Sequence, residues 1–208
     1  MSEASPDADQ NRWLALLAQN PDHSAWYIQR FMNMAAEGRD LGGEARLIDA
    51  MASRGARILD AGCGTGRVGA LLAASGHHVV GVDLDPELID AAREACPEAT
   101  WLVGDLAELD LPAHGINDGF DLIVSAGNVM TFLAPSTRRA VLARLRDHLR
   151  DGGRLVVGFG RGRDYGFAEF FADVEAGGLD TQVRLATWDL RPFTETSDFL
   201  VAILGRSG

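Results

Sequence analysis

Two hydrophobic periods alternate along this chain. Short, nearly continuous apolar runs, of the kind that form strands buried on both faces, fall at 57–61, 78–83, 100–103, 120–124 and 154–159. Between them lie segments with apolar residues three and four apart, as on one face of a helix: 67–75, 85–95, 137–150 (with Val141, Leu142, Leu145 and Leu149 inward) and 165–175. Breakers fall where the elements should end. Gly76 closes the first helix, Asp85-Pro86 opens the second with a cap and a first-turn proline, and Pro97 stops it. Asp151-Gly152-Gly153 turns into the fifth strand, and Gly177-Gly178 ends the last helix. Alternating strands and helices build a parallel sheet covered on both faces. Two more strand-like runs, 181–190 and 198–204, have only Arg191-Pro192-Phe193-Thr194-Glu195-Thr196-Ser197 between them. No helix fits there, so they pair antiparallel. The pattern predicts an α/β fold: a seven-stranded, mostly parallel sheet with an antiparallel last strand.

The N-terminal part reads differently. Residues 1–10 are polar and read as a disordered tail. Residues 11–54 carry three helices, at 12–17, 24–37 (with Ser24 as N-cap) and 44–53, and form a cap or lid. The domain they cover spans 55–208, in one globular unit with the cap. On the helix at 24–37, Trp26 and Arg30 share a face and Tyr27 lies about 100° round. One stripe can pack on the core while its neighbour faces a pocket.

Composition narrows the function. The 208 residues suit a single core, and the net charge of −11 (19 basic, 30 acidic) opposes a nucleic-acid footprint. No basic-then-apolar leader stands at the N-terminus, and no apolar run reaches the roughly 18 residues a membrane helix needs. A soluble, cytoplasmic monomer or homodimer without membrane or nucleic-acid partners is expected. Cys63 and Cys96 offer neither a disulfide framework nor zinc spacing, and adjacent His77 and His78 point to opposite faces of a strand, so no metal is expected.

The candidate chemistry lies where the first strand ends. Gly62-Cys63-Gly64-Thr65-Gly66 follows an apolar run and precedes a helix, and the next strand ends in Asp83. Strand, glycine loop, helix, strand, acid is the plan of a nucleoside-binding unit. Glycines let the backbone turn and a ligand approach. The helix N-terminus offers free N–H groups. Asp83 is placed to accept two hydrogen bonds from a ribose diol. A second phase exists: Gly64-Thr65-Gly66-Arg67-Val68-Gly69 also satisfies the GxGxxG dinucleotide fingerprint. It would extend the strand to Cys63, burying an ionised Asp60 and a glycine inside it, and both are poor there.

With Asp60 two residues ahead of Gly62, the loop resembles the acid-x-Gly-x-Gly-x-Gly segment of class I S-adenosylmethionine-dependent methyltransferases, and the terminal β-hairpin fits their Rossmann-like topology. The resemblance covers about 45–206. It implies S-adenosylmethionine as cofactor, S-adenosylhomocysteine as product, and methyl transfer to a small molecule through an O-, N- or C-nucleophile. It places Gly62, Cys63, Gly64 and Gly66 around the methionine end and Asp60 near its amine, often through water. It puts Asp83 on the ribose, Leu84 over the adenine, Asp105 on the adenine amino group, and the Leu106 N–H on a ring nitrogen. After the fourth strand, Ser125 joins the cofactor site, and Asn128 holds either a substrate hydroxyl or the sulfonium end. Arg161, Arg163, Trp26, Tyr27 and Arg30 are the candidate substrate contacts, and Tyr27, His23 and His114 the only candidates for a base. Each has a plainer reading: Asp60 as a turn residue, Leu84 as core, Asp105 as the cap of a short helix at 106–109, Asn128 as a turn asparagine, Arg161 and Arg163 as a solvated loop. Trp188 reads better as packing than as part of the mouth. Neither an Asn/Asp-Pro-Pro-Tyr segment nor a Pro-Cys pair is present, which removes amino-methylating and cytosine-C5 DNA enzymes. A non-catalytic S-adenosylmethionine-binding module and an NAD-dependent oxidoreductase are the alternatives.

Overall fold

The apolar run Arg57–Ala61 becomes β1, a central strand of the sheet. The structure is a computed structural model and describes residues 9–162 and 164–208. β2 (His78–Asp83) and β4 (Phe120–Ser125) flank β1, both parallel to it. β3 (Thr100–Val103) adds beyond β2 and β5 (Leu149–Gly160) beyond β4, again in parallel. β7 (Phe199–Arg206) then inserts antiparallel between β5 and β6 (Leu179–Leu185), giving the order β3-β2-β1-β4-β5-β7-β6. The expected seven-stranded sheet with an antiparallel last strand is the one that forms.

Two helices, α1 (Arg12–Gln19) and α2 (His23–Ala36), precede the sheet layers. α3 (Gly43–Met51), α4 (Arg67–Ala74) and α5 (Pro86–Ala95) cover one face of the sheet. A single turn, α6 (Val129–Phe132), follows β4, and α7 (Arg138–Asp147) and α8 (Phe167–Ala176) cover the other face. Ile58 and Leu59 are fully buried and serve opposite layers, one packing with Ile48 and Leu72, the other with Leu142 and Leu145. Burial of each such side chain stabilises the fold by about 1.5–3 kcal/mol.

Several boundaries differ from expectation, most where contacts distant in sequence decide them. Ser24 is not an N-cap. Asp22 holds that position, and Ser24 is buried with its hydroxyl donating to Asp85. α3 is no part of a cap: Ala45, Leu47 and Ile48 belong to the core. α7 ends at Asp147, and Leu149 already starts β5, opposite Phe120. Asp151-Gly152-Gly153 then bulges within the strand, because the next pair is Leu122 with Arg154. α8 starts at Phe167 rather than 165; Tyr165 is buried ahead of it and donates to Asp173 Oδ2 at 2.9 Å. β6 stops at Leu185, short of residue 190. Trp188 folds onto Gly158, where any Cβ would overlap the indole, and Leu190 takes φ 70°. The packing role expected of Trp188 is the one it has. The tail expected at 1–10 falls mostly on residues 1–8, outside the described residues. Among the described residues, no helix is long and apolar enough to cross a membrane.

Candidate functional site

A cavity of about 280 Å³ opens where β1, β2 and β4 end. Gly62, Gly64, Asp83, Leu84, Asp105 and Leu106 form one side, and Trp13, Tyr27, Arg30, Phe31 and Phe132 close the other. A smaller recess of about 30 Å³ shares Tyr27 and Gly62 with it and reaches Asp60 and Cys63.

The loop is built from the end of β1. The strand stops at Ala61, and the N–H groups of Gly62 and Cys63 both donate to Val82 O, at 2.8 and 3.1 Å. The phase that carries the strand to Cys63 is therefore not the one that forms. The three glycines serve three purposes. A Cβ on Gly62 would overlap Val129. One on Gly66 would lie 2.8 Å from the Trp101 ring and 2.9 Å from Ala92 Cβ, so this glycine lets α4 approach α5 and does not line the cavity. At Gly64 the nearest protein atoms, on Tyr27, are 3.7 Å away, so what its missing side chain leaves open is the cavity.

The acids stand in different environments. Asp83 faces the cavity; its Oδ2 accepts from Gly64 N at 2.8 Å and its Oδ1 from Asp85 N at 3.0 Å. Burial pushes its carboxyl above the usual range, and the backbone N–H bonds oppose the rise. Asp60 lies inside β1, 2% exposed, with Oδ2 accepting from Gly69 N at 2.9 Å. Burial pushes it up to about 7, against the pull of the Gly69 N–H and Arg67. Asp105 lines the cavity and also caps the short turn Leu106–Glu108, accepting from Ala107 N at 2.8 Å. Leu84 and Leu106 line the same wall.

The remaining candidates divide. Tyr27 and Arg30 line the cavity, and burial raises the Tyr27 hydroxyl above its ordinary value. Trp26 does not: it is 54% exposed, stacked on His23, with the Arg30 guanidinium over its ring. Of the three residues singled out on this helix, Tyr27 and Arg30 line the cavity and Trp26 does not. Asn128 lines the cavity, and its Oδ1 accepts from Gly160 N at 2.8 Å, tying the loop after β4 to β5 and leaving one lone pair and the amide nitrogen for a ligand. Ser125 is buried with no partner for its hydroxyl and lies outside both lining sets. Arg161 is turned away: its guanidinium donates to Glu195 O at 3.1 Å and lies over Phe167. Arg163 lies outside the described residues. His23 and His114 line neither space. Trp13, Phe31 and Phe132 were not singled out as wall residues, because an aromatic on a short amphipathic helix reads as packing. Among the described residues, no three His, Cys, Asp or Glu side chains converge as a metal requires.

The fold has counterparts. A family model described as a methyltransferase domain matches residues 58–153. A solved TehB-like S-adenosylmethionine-dependent methyltransferase from Corynebacterium glutamicum superposes with a TM-score of 0.85, is 52% identical, and is covered over 100% of its length by 90% of this chain. The chain belongs to the class I S-adenosylmethionine-dependent methyltransferases. Curated relatives of this methyltransferase include trans-aconitate 2-methyltransferase of Azoarcus sp., 33% identical over 145 residues (67% of this chain, 52% of that one). Magnesium-protoporphyrin O-methyltransferase of Rhodobacter capsulatus is 38% identical over 92 residues, 42% of this chain and 38% of that one. The methyltransferase described here thus spans about half the length, or less, of these curated relatives.

Proposed function

We propose that this methyltransferase moves the methyl group of S-adenosylmethionine to a small-molecule acceptor and releases S-adenosylhomocysteine. The observation that carries the reading is Asp83: a carboxylate on the cavity wall, braced by the Gly64 and Asp85 N–H groups, beside a glycine that leaves room for a ligand. Its two oxygens each keep a lone pair for a ribose diol. Asp105 and the Leu106 N–H would take the adenine edge, and Leu84 its face. Asp60, in the adjoining recess with Cys63, would meet the methionyl ammonium. When bound, the cofactor supplies an electrophilic methyl on a sulfonium whose sulfur leaves with the bonding pair. The chain supplies position: the acceptor must approach to about 3–3.5 Å in line with that sulfur. Tyr27 and the Asn128 amide are the polar groups nearest to hand for orienting it. Arg30 at the rim would meet an acidic group on the acceptor.

The small aromatic-walled cavity and the −11 charge favour a small acceptor over a nucleic acid. The same reading makes the protein a cytoplasmic monomer or homodimer that works without a metal. Incubation with S-adenosylmethionine and a panel of carboxylates (trans-aconitate among them), amines, thiols and phenols should release S-adenosylhomocysteine with at least one. Tight cofactor binding with no turnover across the panel would instead favour a binding module.

A further inference from the structure

Asp85 takes no part in the chemistry above, yet it is 2% exposed and both carboxylate oxygens are engaged. Its Oδ1 caps α5, accepting from Glu87 N and Leu88 N at 2.9 and 3.4 Å. Its Oδ2 accepts from the Trp13 indole N–H at 2.7 Å and from the Ser24 hydroxyl. Its own N–H donates to Asp83 Oδ1 at 3.0 Å. One residue therefore joins α1, α2, α5 and the candidate ribose acid.

What Asp85 holds is part of the cavity wall. The Trp13 ring packs edge-on against Tyr27 (centroids 5.3 Å apart, planes at 87°) and against Phe132 (5.9 Å, 73°). Upstream, Asp9 accepts from Ser136 N at 2.9 Å, and Arg12 pairs with Asp164. α1 thus crosses the mouth, latched to the β2 loop on one side and to the loops after β4 and β5 on the other.

We propose that Asp85 is a positioning residue that couples occupancy of the ribose site at Asp83 to closure of α1 and α2 over the cavity. This rests on the reading of Asp83 as the ribose acid. A diol bound to Asp83 holds its carboxylate still, and with it the Asp85 backbone. A fixed Asp85 presents Oδ2 where Trp13 and Ser24 meet it. Linkage makes the effect reciprocal, so a latched cap also tightens cofactor binding. The closed wall then keeps water from the methyl group.

Hydrogen exchange of the α1 and α2 amides, with and without saturating S-adenosylhomocysteine, tests the coupling. In the wild type the ligand should slow exchange across Arg12–Gln19 and His23–Ala36 at least about tenfold. Trp13→Phe and Ser24→Ala each remove one latch donor and leave Asp83 and Gly64 in place. Each should still bind the ligand, but its unlatched helix should lose most of the ligand-dependent slowing. A residue that merely stabilised the fold would lower protection equally with and without ligand. Binding to the wild type with unchanged α1 and α2 exchange would overturn the coupling and leave the cofactor reading standing, as would full ligand-dependent slowing in both variants. No binding to the wild type would defeat the cofactor reading and this proposal with it.

Discussion

Asp83, half-buried on the cavity wall, and Asp60, buried within β1, should fail differently when changed. On the proposed cofactor reading, Asp83→Ala would remove two charge-assisted hydrogen bonds to ribose, each worth roughly 1.5–3 kcal/mol. Calorimetry should show cofactor affinity falling by more than about tenfold in a folded variant. Asp60 should give a pH signature. Its carboxyl, pushed up to about 7, holds a proton below that pH in the free protein. An ammonium brought beside it favours the ionised form, so binding releases the proton and affinity falls as pH drops below about 7. Arg67, Asp83, Glu44 and the Gly69 N–H also act on Asp60, and Asp83 is itself raised. Asp60→Asn isolates the effect: S-adenosylmethionine affinity measured between about pH 6 and 8 should flatten in that variant. The sign for folding is opposite. A carboxyl raised above its unfolded value of about 3.9 favours the folded state at low pH, and that contribution fades as pH rises through about 4 to 7.

At the scale of elements, the glycine loop separates packing from ligand approach. Gly66→Ala would drive a Cβ into Trp101 and Ala92 and should cost about 1–3 kcal/mol by overpacking, read as a lower urea midpoint. Gly64 and Gly66 both take positive φ, 54° and 72°, so either alanine carries about 1–2 kcal/mol of backbone strain; beyond that Gly64→Ala meets only Tyr27, at 3.7 Å, and its further effect should fall on S-adenosylhomocysteine affinity. The sequence carried the loop, both strands beside it and the helices behind it, because apolar period, caps and glycines agree there. It failed where long-range contacts decide. Nothing local says that Trp188 will fold onto Gly158 and end β6, or that Leu149 will join a strand rather than α7. Asp85 was legible only as a helix cap, since its bonds to Trp13 and Ser24 span 72 and 61 residues. The sequence places Trp26 and Tyr27 on neighbouring stripes of one helix, but only the docking of α2 decides which faces solvent and which the cavity.

For the whole molecule, a ligand that binds only the folded state raises stability by about 2.7 kcal/mol at a hundred times its dissociation constant. For a chain of this length that is about 5–10 °C in melting temperature. S-adenosylhomocysteine should produce the shift and NAD should not; a shift with NAD alone would reinstate the dinucleotide reading. The strand order has another consequence, for biosynthesis. β7 occupies residues 199–206 yet sits between β5 and β6. While the ribosome is still making the chain, β5 waits with an open edge and β6 has no partner in the sheet. Neither is covered until the stretch ending at Arg206 has cleared the exit tunnel, so this half of the sheet closes only after its other strands have been made. Unpaired strand edges are templates for association between chains. A nascent chain stalled before residue 199 should therefore engage chaperones and self-associate far more than one whose residues 199–206 have left the tunnel.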